Sequence, residues 1–352
     1  MRIMSRQSRI IQGDCGILLE AQVTRQAMRR REFITGLGRT AAAWPLVAGT
    51  KASLAQSANR IYRLGHITNS TVGETLTRSI ALPELAKLGF AEGRNLVFDS
   101  RVGAPDAMSG FMRELLAARP DAVVAIGPAL AAAGAATRTV PIVGFGSDPV
   151  ELGLAQSYAR PGGNVTGVVI LASELEGKRL SILHEAVPDR RRVAALLSST
   201  GNPVSEPALR KAAAGLGVEL LAFTVTTPTD YPAAFAAMRA AGAQALVIGA
   251  APEFNRDAKQ LAALALEARL PTVCEWADLA HAGCLIGYGP SRIEMRKRMA
   301  AQIALIFRGT APGEVAIELP TRFEFALNQG IAKALDLSIP LTVLAQADEV
   351  ID

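Results

Sequence analysis

Ala122-Val123-Val124-Ala125-Ile126, then Gly127-Pro128, then Ala129-Leu130-Ala131-Ala132-Ala133-Gly134-Ala135-Ala136, then Pro141-Ile142-Val143-Gly144-Phe145 is the stretch that decides the fold. Two five-residue apolar runs flank an alanine-rich segment with helical composition. Neither run alternates with polar residues, so neither has a face meant for water. Strands of that kind are buried on both sides, as in a parallel sheet covered by helices. Gly-Pro ends the first run, and Pro is favoured early in a helix. The stretch therefore reads as strand, helix, parallel strand.

The same alternation extends in both directions. Before it come a strand at Ile61–Ile67, a polar loop Thr68-Asn69-Ser70-Thr71, a helix at Glu74–Leu88 kinked by Pro83, a strand at Asn95–Ser100 and a helix at Ala107–Ala118. After it come strands at Val165–Leu171, Val193–Ser198, Glu219–Val225, Ala245–Gly249, Thr272–Glu275 and Cys284–Tyr288. Between the later strands, helical spacing runs over Glu174–Ala186, Ser205–Leu216, Tyr231–Ala240 and Asn255–Ala268. Arg292–Phe307 is one long helix with an Ile/Leu/Met stripe, and Phe323–Leu327 with Gly330–Leu335 adds a last strand and helix. The expectation is α/β: two open, parallel-sheet lobes of similar size with a ligand cleft between them.

The chain has 352 residues, 50% hydrophobic and 20% charged. That excludes a disordered chain, a collagen and a disulfide-stapled miniprotein. The net charge of +5 hints at nucleic acid until its placement is considered. Arg30-Arg31 precede an apolar segment from Phe33 to Gly49, and Ser53-Leu54-Ala55 reads as a small-x-small cleavage site before Gln56. This is the three-part layout of an export signal of the twin-arginine type. Residues 1–27, polar and irregular, precede Met28, which reads as the true start. Residues 1–55 carry +6 and the remainder −1. The basic balance thus belongs to the segment expected to be removed, and no nucleic-acid partner is expected.

Cys15 lies in that segment. Cys274 and Cys284 fall late in one expected strand and early in the next. In a parallel sheet those ends lie apart, which argues against a disulfide without excluding one. His66, His184 and His281 have no metal-ligand spacing, and no metal or cofactor is expected. No Gly-x-Gly-x-x-Gly follows the first strand, there is no phosphate loop or Gly-x-Ser-x-Gly elbow, and nothing pairs a nucleophile with a base. An enzyme is not expected.

Ligands of open α/β sheets bind outside the carboxyl ends of the strands. Candidate residues therefore come from the segments after strands: Asn69, Ser70, Pro128, Ala129, Ser147, Asp148, Asn202, Ser205, Glu253, Trp276 and Tyr288. Asn69, Ser70, Ser147, Asn202 and Ser205 are candidates to hydrogen-bond polar groups. The helix start at Ala129 would favour a carboxylate, Asp148 or Glu253 an amine, and Trp276 with Tyr288 an apolar end. Each also has a plainer reading as a turn, cap or core residue.

Asp148-Pro149-Val150-Glu151-Leu152-Gly153-Leu154, followed by Arg160-Pro161-Gly162-Gly163-Asn164-Val165-Thr166-Gly167, resembles the signature of the ABC-transporter substrate-binding proteins related to tryptophan/tyrosine-binding proteins. The leader from Met28, the run Lys178-Arg179-Leu180 and the ending at Ala345-Gln346-Ala347-Asp348-Glu349-Val350-Ile351 are similar too. The resemblance implies a type I periplasmic-binding-protein fold of two Rossmann-like lobes joined by three crossovers: residues 60–170 with 290–320, and 172–288 with 321–352. It implies a periplasmic, monomeric receptor that closes on a small molecule, an amino acid or small carboxylate, and docks on an ABC permease in the inner membrane. A ligand-binding component of a periplasmic sensory system is the alternative. One departure stands out: family members often carry Ser or Thr before the Pro-Ala that opens the third helix, and here Gly127 offers no hydroxyl.

Overall fold

The computed structural model describes residues 60–201 and 204–352. The leader, its cleavage site, the start at Met28 and Asn202 lie outside the described residues. The first sheet holds five strands: β1 (Tyr62–Thr68), β2 (Leu96–Val102), β3 (Ala122–Ile126), β4 (Ile142–Gly146) and β5 (Val165–Val169). Their order is β2-β1-β3-β4-β5, all parallel. All five residues of β3 and of β5 are buried, as a strand covered on both faces requires.

The second sheet holds β6 (Arg192–Ser198), β7 (Glu219–Val225), β8 (Ala245–Ile248), β9 (Thr272–Cys274), β10 (Ile286–Pro290), β11 (Phe323–Asn328) and β12 (Glu349–Ile351). Its order is β12-β11-β10-β9-β8-β6-β7. The α/β class and the mostly parallel strands match the expectation. One pair departs from it: β10 and β11 run antiparallel. The short edge strand β12 was not expected either. It pairs with β11, and the Asp348 carboxylate accepts the Phe325 N–H at 2.8 Å just before it.

Two helical segments place residues at the facing strand ends. The expected kink at Pro83 appears as a π-helical turn, Thr77–Ala81, between the helices Thr71–Leu76 and Leu82–Lys87. Pro lacks the N–H that would close the regular ladder. The helix Arg292–Phe307 leaves β10 of the second sheet and packs on the helices and strands of the first. Its buried stripe includes Met295, Met299, Ala300 and Ile303, with Arg296 among them.

Cys274 and Cys284 form a disulfide, with Cα atoms 6.4 Å apart. The strand expected to start at Cys284 starts two residues later, since β10 begins at Ile286. Cys284 lies on the incoming turn after Gly283, where the chain is free of sheet register and reaches β9. No helix among the described residues is long and apolar enough to cross a membrane.

Candidate functional site

A cavity of about 640 Å³ lies where the carboxyl ends of the two sheets meet. That is within the range for small-molecule sites. The first sheet contributes Ser70 after β1, Gly127-Pro128 after β3, Phe145 to Asp148 around the end of β4, and Ile170 after β5. The second contributes Thr200 and Gly201 after β6, Ala250 to Pro252 and Asn255 after β8, and Glu275-Trp276 after β9. Arg292 and Arg296 enter from the helix that follows β10.

Five of the eleven residues expected from sequence line this cavity: Ser70, Pro128, Ser147, Asp148 and Trp276. Ser70 caps the helix Thr71–Leu76, its hydroxyl accepting the Gly73 N–H at 3.2 Å. Pro128 occupies the cap position of the helix Ala129–Ala136. The Ser147 hydroxyl has no protein partner among the described residues. Asp148 is heavily engaged. One carboxylate oxygen accepts the N–H groups of Val150 at 2.7 Å and Glu151 at 3.3 Å, and the other accepts the Tyr158 hydroxyl. That bond, more than burial, pushes the Tyr158 phenol up to about 12.

The others fall elsewhere. Ala129 is fully buried in the core beneath the cavity. Asn69 does not line it, and its side-chain oxygen is buried without a partner. Ser205 borders a separate cavity of about 200 Å³ with Ser198, Ser199 and Thr224. Glu253 accepts the Ser198 hydroxyl and the Thr200 hydroxyl, the latter at 3.2 Å, and so braces the loop after β6. Tyr288 stacks on Phe323 with ring centroids 6.0 Å apart. It sits in the middle of β10, where alternation turns it to the opposite face from Gly287 and Gly289.

Sequence reasoning missed Arg292 and Arg296, which carry the cavity's positive charge. They are four residues apart on one helix and so share a face. Arg292 donates to Asp278 at 2.8 Å and to the Asn255 side chain at 2.7 Å, and its guanidinium lies 4.4 Å from the Trp276 ring centroid. Arg296 is 3% exposed, stacks 3.9 Å from the centroid of Phe145, and donates to the Thr77 hydroxyl at 3.1 Å. Its Nε has no partner, and no carboxylate of the described residues pairs with it. Burial first, and repulsion from Arg292 second, pull it down to about 9, so it remains charged at neutral pH. A signal was available in the sequence: Arg296 interrupts the apolar stripe Met295, Met299, Ile303 at a core position.

Behind Arg296, His66 is fully buried, its Nδ1 3.0 Å from the Ser100 hydroxyl. Burial, then repulsion from Arg296 and Arg78, lowers it to about 3. The unfolded chain takes up a proton near 6.5 that the folded protein refuses. This contribution to stability is therefore complete above pH 6.5 and is lost as pH falls from there toward 3. Between pH 7 and pH 5 the parent should lose about 2 kcal/mol more than His66→Gln. Urea midpoints for both proteins at the two pH values measure the difference, and equal losses would contradict it.

The chain is similar to known proteins along most of its length. A family model described as ABC transporter substrate binding protein matches residues 78–351. A tyrosine-binding protein of Clostridioides difficile is 21% identical over 261 residues, covering 71% of this chain and 73% of the relative. Two solved structures superpose with a TM-score of 0.74. One is a conserved domain protein from Vibrio cholerae, 23% identical, covering 83% of this chain and 99% of that one. The other is an ABC domain from Streptococcus pneumoniae in complex with L-Trp, 18% identical, covering 83% and 100%.

Proposed function

The chain belongs to the ABC transporter substrate-binding protein family, and from that premise we propose that it is the periplasmic receptor of an ABC uptake transporter. It is a binding protein, not an enzyme. In this reading residues 60–170 with 290–320 form one lobe and 172–288 with 321–352 the other. They close about the hinge on a small polar molecule with an apolar part, and the closed monomer docks on the permease. The export signal read in residues 28–55 accounts for delivery to the periplasm.

The observation that carries the proposal is the cavity lined from both sheets, with Ser70 and Ser147 on one side and Thr200, Asn255 and Trp276 on the other. Closure of two lobes would bury a ligand held there. The tyrosine-binding relative and the tryptophan-bound structure support a ligand of aromatic amino-acid size. A thermal-shift screen of the purified protein against the amino acids and small carboxylates, each at millimolar concentration, tests the reading. A binder raises the midpoint by mass action. No shift with any compound would overturn it.

A further inference from the structure

We infer that Arg296 anchors an anionic group and that the ligand is an organic monocarboxylate with a flat apolar body rather than an amino acid. The inference rests on the receptor reading above and names the class of molecule received.

A guanidinium is rarely buried without a carboxylate, because a lone charge loses its hydration and gains nothing in return. Arg292 follows that rule through Asp278. Arg296 does not: it is 3% exposed, borders the cavity, contacts the Thr77 hydroxyl and the Phe145 ring, and has no carboxylate partner among the described residues. Its Nε is buried without a partner, so nothing in the protein offsets that donor's lost hydration. An anion in the cavity would compensate the charge through the rest of the guanidinium, and one unpaired cation fits one negative charge.

An amino acid brings an ammonium that needs a free carboxylate. Asp148 already accepts two backbone N–H groups and the Tyr158 hydroxyl. Glu275, 7% exposed, accepts the Asn255 amide at 2.9 Å. Asn255 in turn receives Arg292, which links Glu275 to the Arg292–Asp278 pair. Asp148 and one oxygen of Glu275 are thus engaged by donors of the protein itself, and Glu151, the third acid that lines the cavity, is exposed to solvent, where an ion pair is worth little.

Phe145, Ile126, Ile170, Leu76 and Trp276 supply apolar surface beside the cation. A carboxylate on Arg296 would place the remainder of a flat molecule against them.

Calorimetric titration of the purified protein with matched pairs tests this directly: 3-phenylpropionate against L-phenylalanine, and indole-3-propionate against L-tryptophan, with 3-phenylpropionamide as the uncharged control. The acids should bind at least tenfold tighter than their amino-acid partners, and the amide at least tenfold weaker than its acid. Arg296→Met should weaken the acids about a hundredfold, and Arg296→Lys by less. Because Arg296 lacks an ion-pair partner, the Met variant should melt no lower than the parent. An amino acid that binds as tightly as its matched acid would overturn the inference and leave the receptor reading standing. So would an amide equal to its acid, or an Arg296→Met variant that keeps full affinity. A protein that binds none of these compounds and none of the wider screen would overturn both.

Discussion

Replacing Arg179 with Met should lower the stability of the fold by about 4 kcal/mol, the scale expected when one partner of a buried ion pair is removed. Arg179 and Glu176 are both fully buried, one turn apart on the helix Ala172–Ala186, with charged atoms 3.6 Å apart. The arginine does more than pair. Its Nε donates to the Tyr288 carbonyl at 2.9 Å and its Nη2 to the Glu275 carbonyl at 3.1 Å. The Glu176 carboxylate accepts the Ala250 N–H at 2.9 Å. One helix thus fastens the chain just past β8 and β9 and the middle of β10. Burial raises the Glu176 carboxyl, and Arg179 is the main influence opposing that rise. Without the arginine, Glu176 is a lone buried acid, and the Tyr288 and Glu275 carbonyls each lose a donor.

The form of the loss separates pairing from anchoring. If the pair alone mattered, Arg179→Met with Glu176→Met would recover most of the stability, since apolar replacements of buried pairs are often neutral. The carbonyls of Tyr288 and Glu275 would remain without donors in the double variant, so recovery should be partial. Glu176→Gln keeps an acceptor for Ala250 and should cost about 1–3 kcal/mol. Urea unfolding of the parent and these three variants measures the losses, and full recovery in the double variant would refute the anchoring role. In heat, the single Arg179 loss corresponds to a midpoint drop on the order of 10 °C.

These anchors bear on what the sequence could disclose. The strands were legible because a buried parallel strand must be apolar at every position, as Ala122–Ile126 is. The direction of β11 was not legible, since strand composition does not record which way a neighbour runs. Nor was β12: a three-residue, largely exposed edge is held by pairing and by Asp348 rather than by its own pattern. At the site, topology located the loops after the strands, and Ser70, Ser147, Asp148 and Trp276 lie at the cavity as a result. Tyr288 lies elsewhere because a two-residue difference in the boundary of β10 put it inside the strand. There side-chain alternation, not loop position, sets its direction. Arg296 escaped notice because local periodicity marks a charge in an apolar stripe as an irregularity. Only the fold reveals that a cavity opens against it.

Gly289→Ala should cost about 3 kcal/mol and weaken ligand binding tenfold or more, since the glycine sets where Trp276 lies. The chain after β9 passes directly over β10. A Cβ on Gly289 would stand 2.2 Å from the Glu275 carbonyl oxygen, and one on Gly287 would stand 2.3 Å from the Trp276 carbonyl oxygen. Both obstacles are backbone, which cannot swing aside as a side chain could. The loop is also held at its root by the Cys274–Cys284 disulfide and by the Arg179 bond to the Glu275 carbonyl. Strain therefore has no easy outlet, and the cost belongs at the upper end for an overpacked position. Whatever movement occurs displaces Glu275 and Trp276, and with them the Asn255 and Arg292 contacts at the cavity wall. Gly110 supplies the control: a Cβ there meets nothing within 4 Å on the helix Met108–Ala117. Gly110→Ala should be neutral to about 1 kcal/mol stabilising, from helix propensity alone. Urea midpoints and titrations with 3-phenylpropionate read both effects in each variant. A Gly289→Ala protein as stable as the parent and equally tight for the acid would show that the loop yields freely, and that Trp276 is not positioned by the strand beneath it.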